Sequence, residues 1–265
     1  MRKYRDKNYL RREYIEKRRK APDLAEENNV CLGTIETWLA KHNLTNIKSR
    51  VKHLINEDKL DLTNPVFHYY AGLIATDGYV DLENNRVSLR LNNTGAKKLL
   101  NDLVDYFEFE GEVKLYGESY DLTVTSKSLI KKLKLLSIKG NNKTYDLSFP
   151  SILVSDEDCQ RMFMRGILDG DGNIHTRVSK FTGNTVGGQF RLVTASRDFI
   201  EGVIRFLNYK FSFKEEISTA KVKNVEYPKL EMKVANSKEF YRWVYKGYPK
   251  YRLPEKYKRF LLLNE

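Results

Sequence analysis

Residues 67–80 read Phe-His-Tyr-Tyr-Ala-Gly-Leu-Ile-Ala-Thr-Asp-Gly-Tyr-Val, and residues 161–174 read Arg-Met-Phe-Met-Arg-Gly-Ile-Leu-Asp-Gly-Asp-Gly-Asn-Ile. Each is an apolar helical run that ends in Asp-Gly and passes into a segment of alternating polarity. The two acids, Asp77 and Asp171, stand 94 positions apart, so the chain contains an internal repeat. Gly72 with Thr76, and Gly166 with Gly170, lie four residues apart on one helix face. Small residues at that spacing let two helices pack with their backbones nearly touching, and larger ones would push them apart. Gly78 and Gly172 let the chain leave each helix by a turn that a Cβ would penalise.

The stretch after each motif repeats as well. In the first half, Tyr79 to Asn92 alternates over two short strands, with Val87, Leu89 and Leu91 on one face, and a helix comes next, through Phe107. Strands near 112–117 and 119–125 and a helix over 127–137 complete it. In the second half, 173–181 and 188–195 read as strands and Phe199 to Phe206 as a helix. Strands near 215–222 and 229–235 then precede a helix over 237–245. The order helix, two strands, helix, two strands, helix occurs twice, which predicts an α+β fold of tandem αββαββα repeats.

This pattern resembles the LAGLIDADG homing endonuclease family in its two-motif, single-chain form, over about 200 residues from Pro65 onward. Residues 70–78 match its signature closely, and residues 164–172 match at its defining places. Ala75 departs from the signature where an acid often stands, whereas Asp169 retains it. The resemblance implies a pseudo-two-fold arrangement, with the motif helices as the seam between halves and the two sheets as a saddle along the DNA major groove. It further implies that the carbonyls of Thr76 and Gly170 join the acids in a metal shell. A lysine near the end of each half would polarise water around the scissile phosphate, for which Lys143 and Lys250 are the candidates.

The chemistry fits the residue types. A carboxylate at a helix C-terminus opposes the helix dipole, and two brought together add like-charge repulsion. A divalent cation removes that conflict. Mg²⁺ prefers oxygen ligands and keeps several waters, which suits one or two carboxylates plus a DNA phosphate; Mn²⁺ is the substitute, and Ca²⁺ is expected to bind without supporting cleavage. Antiparallel strands with one apolar face offer the other to a ligand. The outward candidates are Tyr79, Asp81, Glu83, Asn85, Arg86, Ser88, Arg90 and Asn92 in half one. In half two they are His175, Arg177, Ser179, Gln189 and Arg191. Arg pairs with guanine, and Asn or Gln with adenine, in the major groove.

Charge points the same way. Lys and Arg number 47 against 35 Asp and Glu, a net +12, which suits a polyanionic partner. Residues 1–55 hold +7 of this excess, and a second basic run covers 241–260. Residues 8–19, 21–29 and 35–42 read as three short helices, with Pro22 opening the second and Thr34 capping the third. The last two resemble a helix-turn-helix, in which Thr34, Glu36, Thr37 and Lys41 would face base edges. The expected domains are thus a helix-turn-helix over 1–45, a linker over 46–64, and LAGLIDADG halves over 65–155 and 156–265.

No apolar run approaches the ~20 residues of a membrane span, and no secretory signal is read at the N-terminus. Cys31 and Cys159 lack metal-ligand spacing. A cytoplasmic, DNA-associated monomer acting on double-stranded DNA is the expectation. A non-cleaving relative, either a transcription regulator or an RNA-binding maturase, is the alternative.

Overall fold

The computed structural model describes residues 2–17, 19–44, 55–109, 111–140, 143–151, 156–178 and 185–262. The chain divides into two compact units, Met1–Leu54 and Ile55–Glu265.

In the first unit Asp6 caps α1 (Lys7–Leu10), accepting the Asn8 and Tyr9 amides at 2.7 and 2.9 Å. The helix widens into π-type turns over Arg11–Glu16. α2 (Ala21–Glu27) carries Pro22 in its first turn and is followed by Asn29, whose φ is 52°. α3 (Leu32–Lys41) begins three residues earlier than Thr34 would place it, because extended Cys31 is its cap and Thr34 lies inside the first turn. Leu10, Leu24, Ile35 and Leu39 form a core with Tyr4, Ala25 and Leu44.

In the second unit Asn64 caps α4 (Pro65–Thr76), whose Val66–Ala75 stretch is buried throughout. A helix apolar all round must be enclosed on every side. Then come β1 (Gly78–Asp81), β2 (Arg86–Leu91), α5 (Ala96–Phe107), β3 (Lys114–Tyr116), β4 (Ser119–Thr125), α6 (Lys127–Leu135) and the short α7 (Lys143–Asp146). The second repeat runs α8 (Glu157–Asp169), β5 (Asn173–Val178), β6 (Thr185–Val193), α9 (Arg197–Phe211), β7 (Ile217–Val222), β8 (Val225–Glu231) and α10 (Val234–Val244). A further helix, α11 (Pro254–Leu261), was not anticipated.

The two antiparallel sheets have the same topology, β1-β2-β4-β3 and β5-β6-β8-β7. Cross-strand pairs Val87–Val124 and Leu89–Leu122 bury one face of the first sheet. Ile174–Phe190 and Leu192–Leu230 do the same in the second. Both halves contribute to one continuous core. Ile55 and Leu60, which fall in the expected linker, are buried in that core, and the Asn56 amide bonds the Phe107 carbonyl at 2.9 Å. β8 starts at Val225, earlier than the alternation suggested, because Lys223 and Asn224 with φ of 48° and 68° make a tight two-residue turn.

Candidate active site

α4 and α8 meet backbone to backbone. A methyl group on Gly72 would overlap the Phe163 carbonyl oxygen and lie 2.9 Å from Gly166 Cα. One on Gly166 would overlap the Tyr69 carbonyl oxygen and lie 2.8 Å from Gly72 Cα. Four residues on, a methyl on Gly170 would overlap Thr76 Oγ1 and lie 3.0 Å from Asp77 Oδ2. The carboxylate at the foot of α4 therefore lies against the turn that bears Asp171. Asp77 and Asp171 are both exposed, and Thr76 and Asp171 line one cleft with Leu147 and Thr194. Gly78 and Gly172 are not among the positive-φ glycines. A methyl on either would lie 2.6 Å from the Cα of Ile74 or Leu168, so close approach to the preceding turn, not a left-handed backbone, requires glycine there.

Among the described residues no three His, Cys, Asp or Glu side chains converge as a metal cage. Two carboxylates and the carbonyls of Thr76 and Gly170 are a set of hard oxygens that fits a divalent cation retaining several waters.

Of the two expected lysines, only Lys250 has a described side chain. Lys143 opens α7, but its side chain lies outside the described residues. Lys250 is exposed and lines a cleft with Lys98 and Asp102 of α5 and Lys258 of α11. Among the described residues a lysine does stand at the foot of the seam: Lys256 donates from Nζ to the carbonyl oxygens of Gly170, at 3.4 Å, and Gly172. Burial lowers its pKa, and the charges of Asp169 and Asp77 oppose that shift. The available sequence signal was a cation in the first turn of a helix opened by Pro254, where it opposes the dipole.

Two further residues brace the site. Asp169 is fully buried and accepts from Tyr69 Oη at 2.8 Å, Tyr245 Oη at 2.9 Å and the Leu253 amide at 2.8 Å. Burial pushes its carboxyl up to about 6, against those hydrogen bonds. Arg165, also fully buried, spends its whole guanidinium on the carbonyls of Val244, Lys246, Gly247, Tyr248 and Tyr251, at 2.8–3.2 Å. A charged residue inside an apolar run was its signal.

On the first sheet's polar face Tyr79, Glu83, Arg86, Arg90 and Asn92 are exposed, while Ser88 is half-buried and hydrogen-bonded to Thr123 at 2.8 Å. Asn85 is half-buried in the β1–β2 turn with φ of 50°. Asp81 corrects the outward assignment: it shares that face by register but is buried, accepting from Asn84 and Arg86. Gln189 is likewise buried opposite His175, donating to the Met232 carbonyl at 3.1 Å. His175 is exposed and Arg191 half-buried. The side chain of Arg177, and Ser179 altogether, lie outside the described residues. Arg90 is paired with Asp121 at 3.2 Å, and Arg191 with Glu231 at 2.7 Å. In α3, Glu36, Thr37 and Lys41 are exposed and Thr34 is half-buried, in hydrogen-bonding contact with Cys31 Sγ at 3.2 Å.

Two αββαββα repeats abutting on a glycine seam, with an acid after each seam helix, define the LAGLIDADG fold. Residues 158–246, which include the second of the two signatures, match the LAGLIDADG-like domain family. Among solved structures it is similar to the homing endonuclease I-WcaI bound to its DNA recognition sequence, with a TM-score of 0.52 and 18% identity over 76% of this chain and 87% of that one. It is also similar to I-DmoI in complex with DNA and Ca, with a TM-score of 0.50 and 16% identity over 75% of this chain and 98% of that one. The N-terminal LAGLIDADG domain of DUF199/WhiA aligns with a TM-score of 0.48 and 15% identity over 77% of this chain and 94% of that one. No curated protein sequence matches the chain. Among the described residues no helix is long and apolar enough to cross a membrane.

Proposed function

We propose that the chain is a site-specific DNA endonuclease that hydrolyses both strands of a long double-stranded target with divalent metal, acting as a monomer. The observation that carries this reading is the packing of Asp77 Oδ2 against Gly170, which puts an acid of each repeat at one turn. Two carboxylates brought together at that turn would repel one another. A hard divalent cation would relieve that conflict, activate a water and stabilise the leaving oxygen. The chain's own part is to fix the carboxylates through the seam, and to present Lys256 as a positive charge beside the phosphate.

The exposed residues of the two polar faces, with Arg86, Arg90, Asn92, His175 and Arg191 foremost, would read base edges in the major groove. Arg90 and Arg191 would first exchange their present carboxylate partners for bases. The first unit, read as a helix-turn-helix, would place α3 in a further stretch of groove, with Glu36, Thr37 and Lys41 outward.

Conversion of supercoiled plasmid bearing selected target sites, with and without Mg²⁺, tests the reading. Asp171→Asn is expected to abolish double-strand cleavage and leave DNA affinity near wild type; wild-type cutting by that variant would remove the site assignment. A non-cleaving DNA-binding regulator is the second reading. It is favoured by one observation: an ammonium already sits on the Gly170 carbonyl. Tight binding without any metal-dependent nick would select it.

A further inference from the structure

α10 ends at Val244 and α11 opens at Pro254, and the connection between them carries Lys246, Lys250 and Arg252 with no acid. Its backbone is pinned at both ends to α8. Arg165 donates to five carbonyls from Val244 to Tyr251, and Asp169 accepts the Leu253 amide at 2.8 Å. The Tyr251 ring packs against those of Tyr69 and Tyr106, at 6.4 and 5.7 Å between centroids. A segment tied down in this way can hold the side chains it carries in fixed places.

What it carries is one wall of a cleft. Lys250 and Arg252 line a cavity of about 370 Å³ together with Lys98 and Asp102 of α5 and Lys258 of α11. Among the described residues the lining thus holds four cations and one acid, and that acid is already paired with Lys98 at 2.7 Å. Arg252 Cζ lies 3.4 Å from the centroid of the Tyr257 ring. A guanidinium stacked on an aromatic face keeps its in-plane N–H donors for an acceptor beside the ring.

Like charges gathered around a concavity repel one another, so nothing in the fold itself explains their collection. An anion seated among them reverses the sign of that interaction. The rest of the lining narrows the choice, because Leu99, Pro249 and Leu261 give it an apolar share. A passing sugar-phosphate chain is held by cations on an open surface and has no use for an apolar hollow. Small-molecule sites of ~300–1,000 Å³ combine apolar walls with a few charged groups, and this cleft falls at the low end of that range. A compact ligand with one multiply charged end and one flat, apolar end matches both parts.

We propose that the cleft binds a nucleoside di- or triphosphate, with Lys250, Arg252 and Lys258 on the phosphates and the nucleoside against the apolar lining. Asp77, Asp171 and Lys256 are not among its lining residues, so the site stands or falls apart from the metal-dependent reading above.

The test is titration calorimetry of the full chain with ATP in EDTA, without DNA. One ATP per chain is expected. Lys250→Met combined with Lys258→Met keeps both stems and removes two charges; it should weaken ATP by about tenfold or more, the scale of two unit charges withdrawn from solvent-facing phosphates. Lys131→Met combined with Lys134→Met, which takes the same charge from exposed positions on α6, should leave ATP affinity unchanged. Tripolyphosphate, with the charge but no nucleoside, should bind several-fold more weakly than ATP. Equal loss of ATP affinity in the two double variants, each folded by thermal melting, would mean that ATP senses net charge alone and overturns the proposal. Tripolyphosphate binding as tightly as ATP overturns the nucleoside assignment. No ATP binding, with the Lys250→Met, Lys258→Met protein instead flattening the salt dependence of duplex DNA affinity by about 1.8, overturns the proposal too and gives the cleft to strand phosphates.

Discussion

Tyr69 Oη donates to Asp169 Oδ2 at 2.8 Å, joining the seam helix of one repeat to that of the other. The same carboxylate takes Tyr245 Oη and the Leu253 amide, so one buried acid ties both seam helices to the chain's last helix. Neither tyrosine hydroxyl nor the amide could be left unpaired at this depth without cost. The seam is therefore built of two unlike parts, glycine contact along its length and a polar knot at its foot. That knot lies one and two residues from Gly170 and Asp171, so a change in it is felt at the candidate site.

Asp169 gives the protein a signed pH dependence. Its carboxyl is pushed up to about 6 in the fold from an ordinary 3.8. Between those values the unfolded chain loses this proton while the folded chain keeps it, so stability falls as pH rises from 4 toward 6 and then levels. The full difference is on the order of 3 kcal/mol. Asp169→Asn carries a constant penalty from mismatched donors and no such slope. Chemical denaturation at pH 4.5 and 7.5 should show wild type losing ground to the variant at the higher pH. A constant gap between the two would sink this prediction.

The glycine seam should tolerate nothing larger. At Gly72 and Gly166 the colliding atoms are backbone on the facing helix, which cannot swing aside as a side chain would. Gly166→Ala is expected to cost about 3 kcal/mol or more, at the upper end of overpacking effects. It should also separate the two acids and depress any metal-dependent cleavage disproportionately. Urea denaturation of the variant, with cleavage measured where it remains folded, checks both. A stable variant with full cleavage would mean that the helices have room the geometry denies.

The seam was legible because its signal is local: glycines and acids at fixed offsets within one helix, repeated once. Strand positions came from alternation, which also put Asp81 and Gln189 on the polar faces by register. Alternation says which way a side chain points but not what covers it, so their burial under Arg86 with Asn84, and beside the Met232 carbonyl, went unread. Arg165, Asp169 and Lys256 bond partners 76–100 residues away, including 76 for Tyr245 with Asp169 and 100 for Tyr69 with Asp169. No window along the chain contains both members of such a pair. α11 escaped notice because its Lys and Arg residues read as a basic tail, whereas its helix is fixed by Leu253, Pro254 and the apolar sides of Tyr257 and Phe260.

Arg165 holds the segment that leads to α11. All five of its bonds end on main-chain carbonyls between Val244 and Tyr251, a stretch that otherwise has no regular structure beyond α10. Arg165→Met fills similar volume but leaves several buried carbonyls unpaired, at a cost of roughly 3–5 kcal/mol. The loss should be local first: limited proteolysis is expected to cut at 246–251 in the variant before any other site opens. Simultaneous cleavage throughout the second unit, with no early nick there, would show that the segment is held by other means.

The first unit has a core of its own, Leu10, Leu24, Ile35 and Leu39 among others, and none of these residues belongs to the core of the second. Removing residues 1–54 is therefore expected to leave the second unit folded, with its melting transition retained. On the reading of α3 as a DNA-contacting helix, the same truncation removes a strongly basic surface that neutralises phosphates. Each phosphate left without its Lys or Arg should flatten the dependence of log affinity on log salt by about 0.9. The truncated protein should then bind its target more weakly and with a shallower slope, by roughly 2–4 for a small module that neutralises a few phosphates. Metal-dependent cleavage at saturating protein should survive. Unchanged affinity and slope would strip the first unit of a DNA-binding role while leaving the acidic pair, and the chemistry proposed for it, untouched.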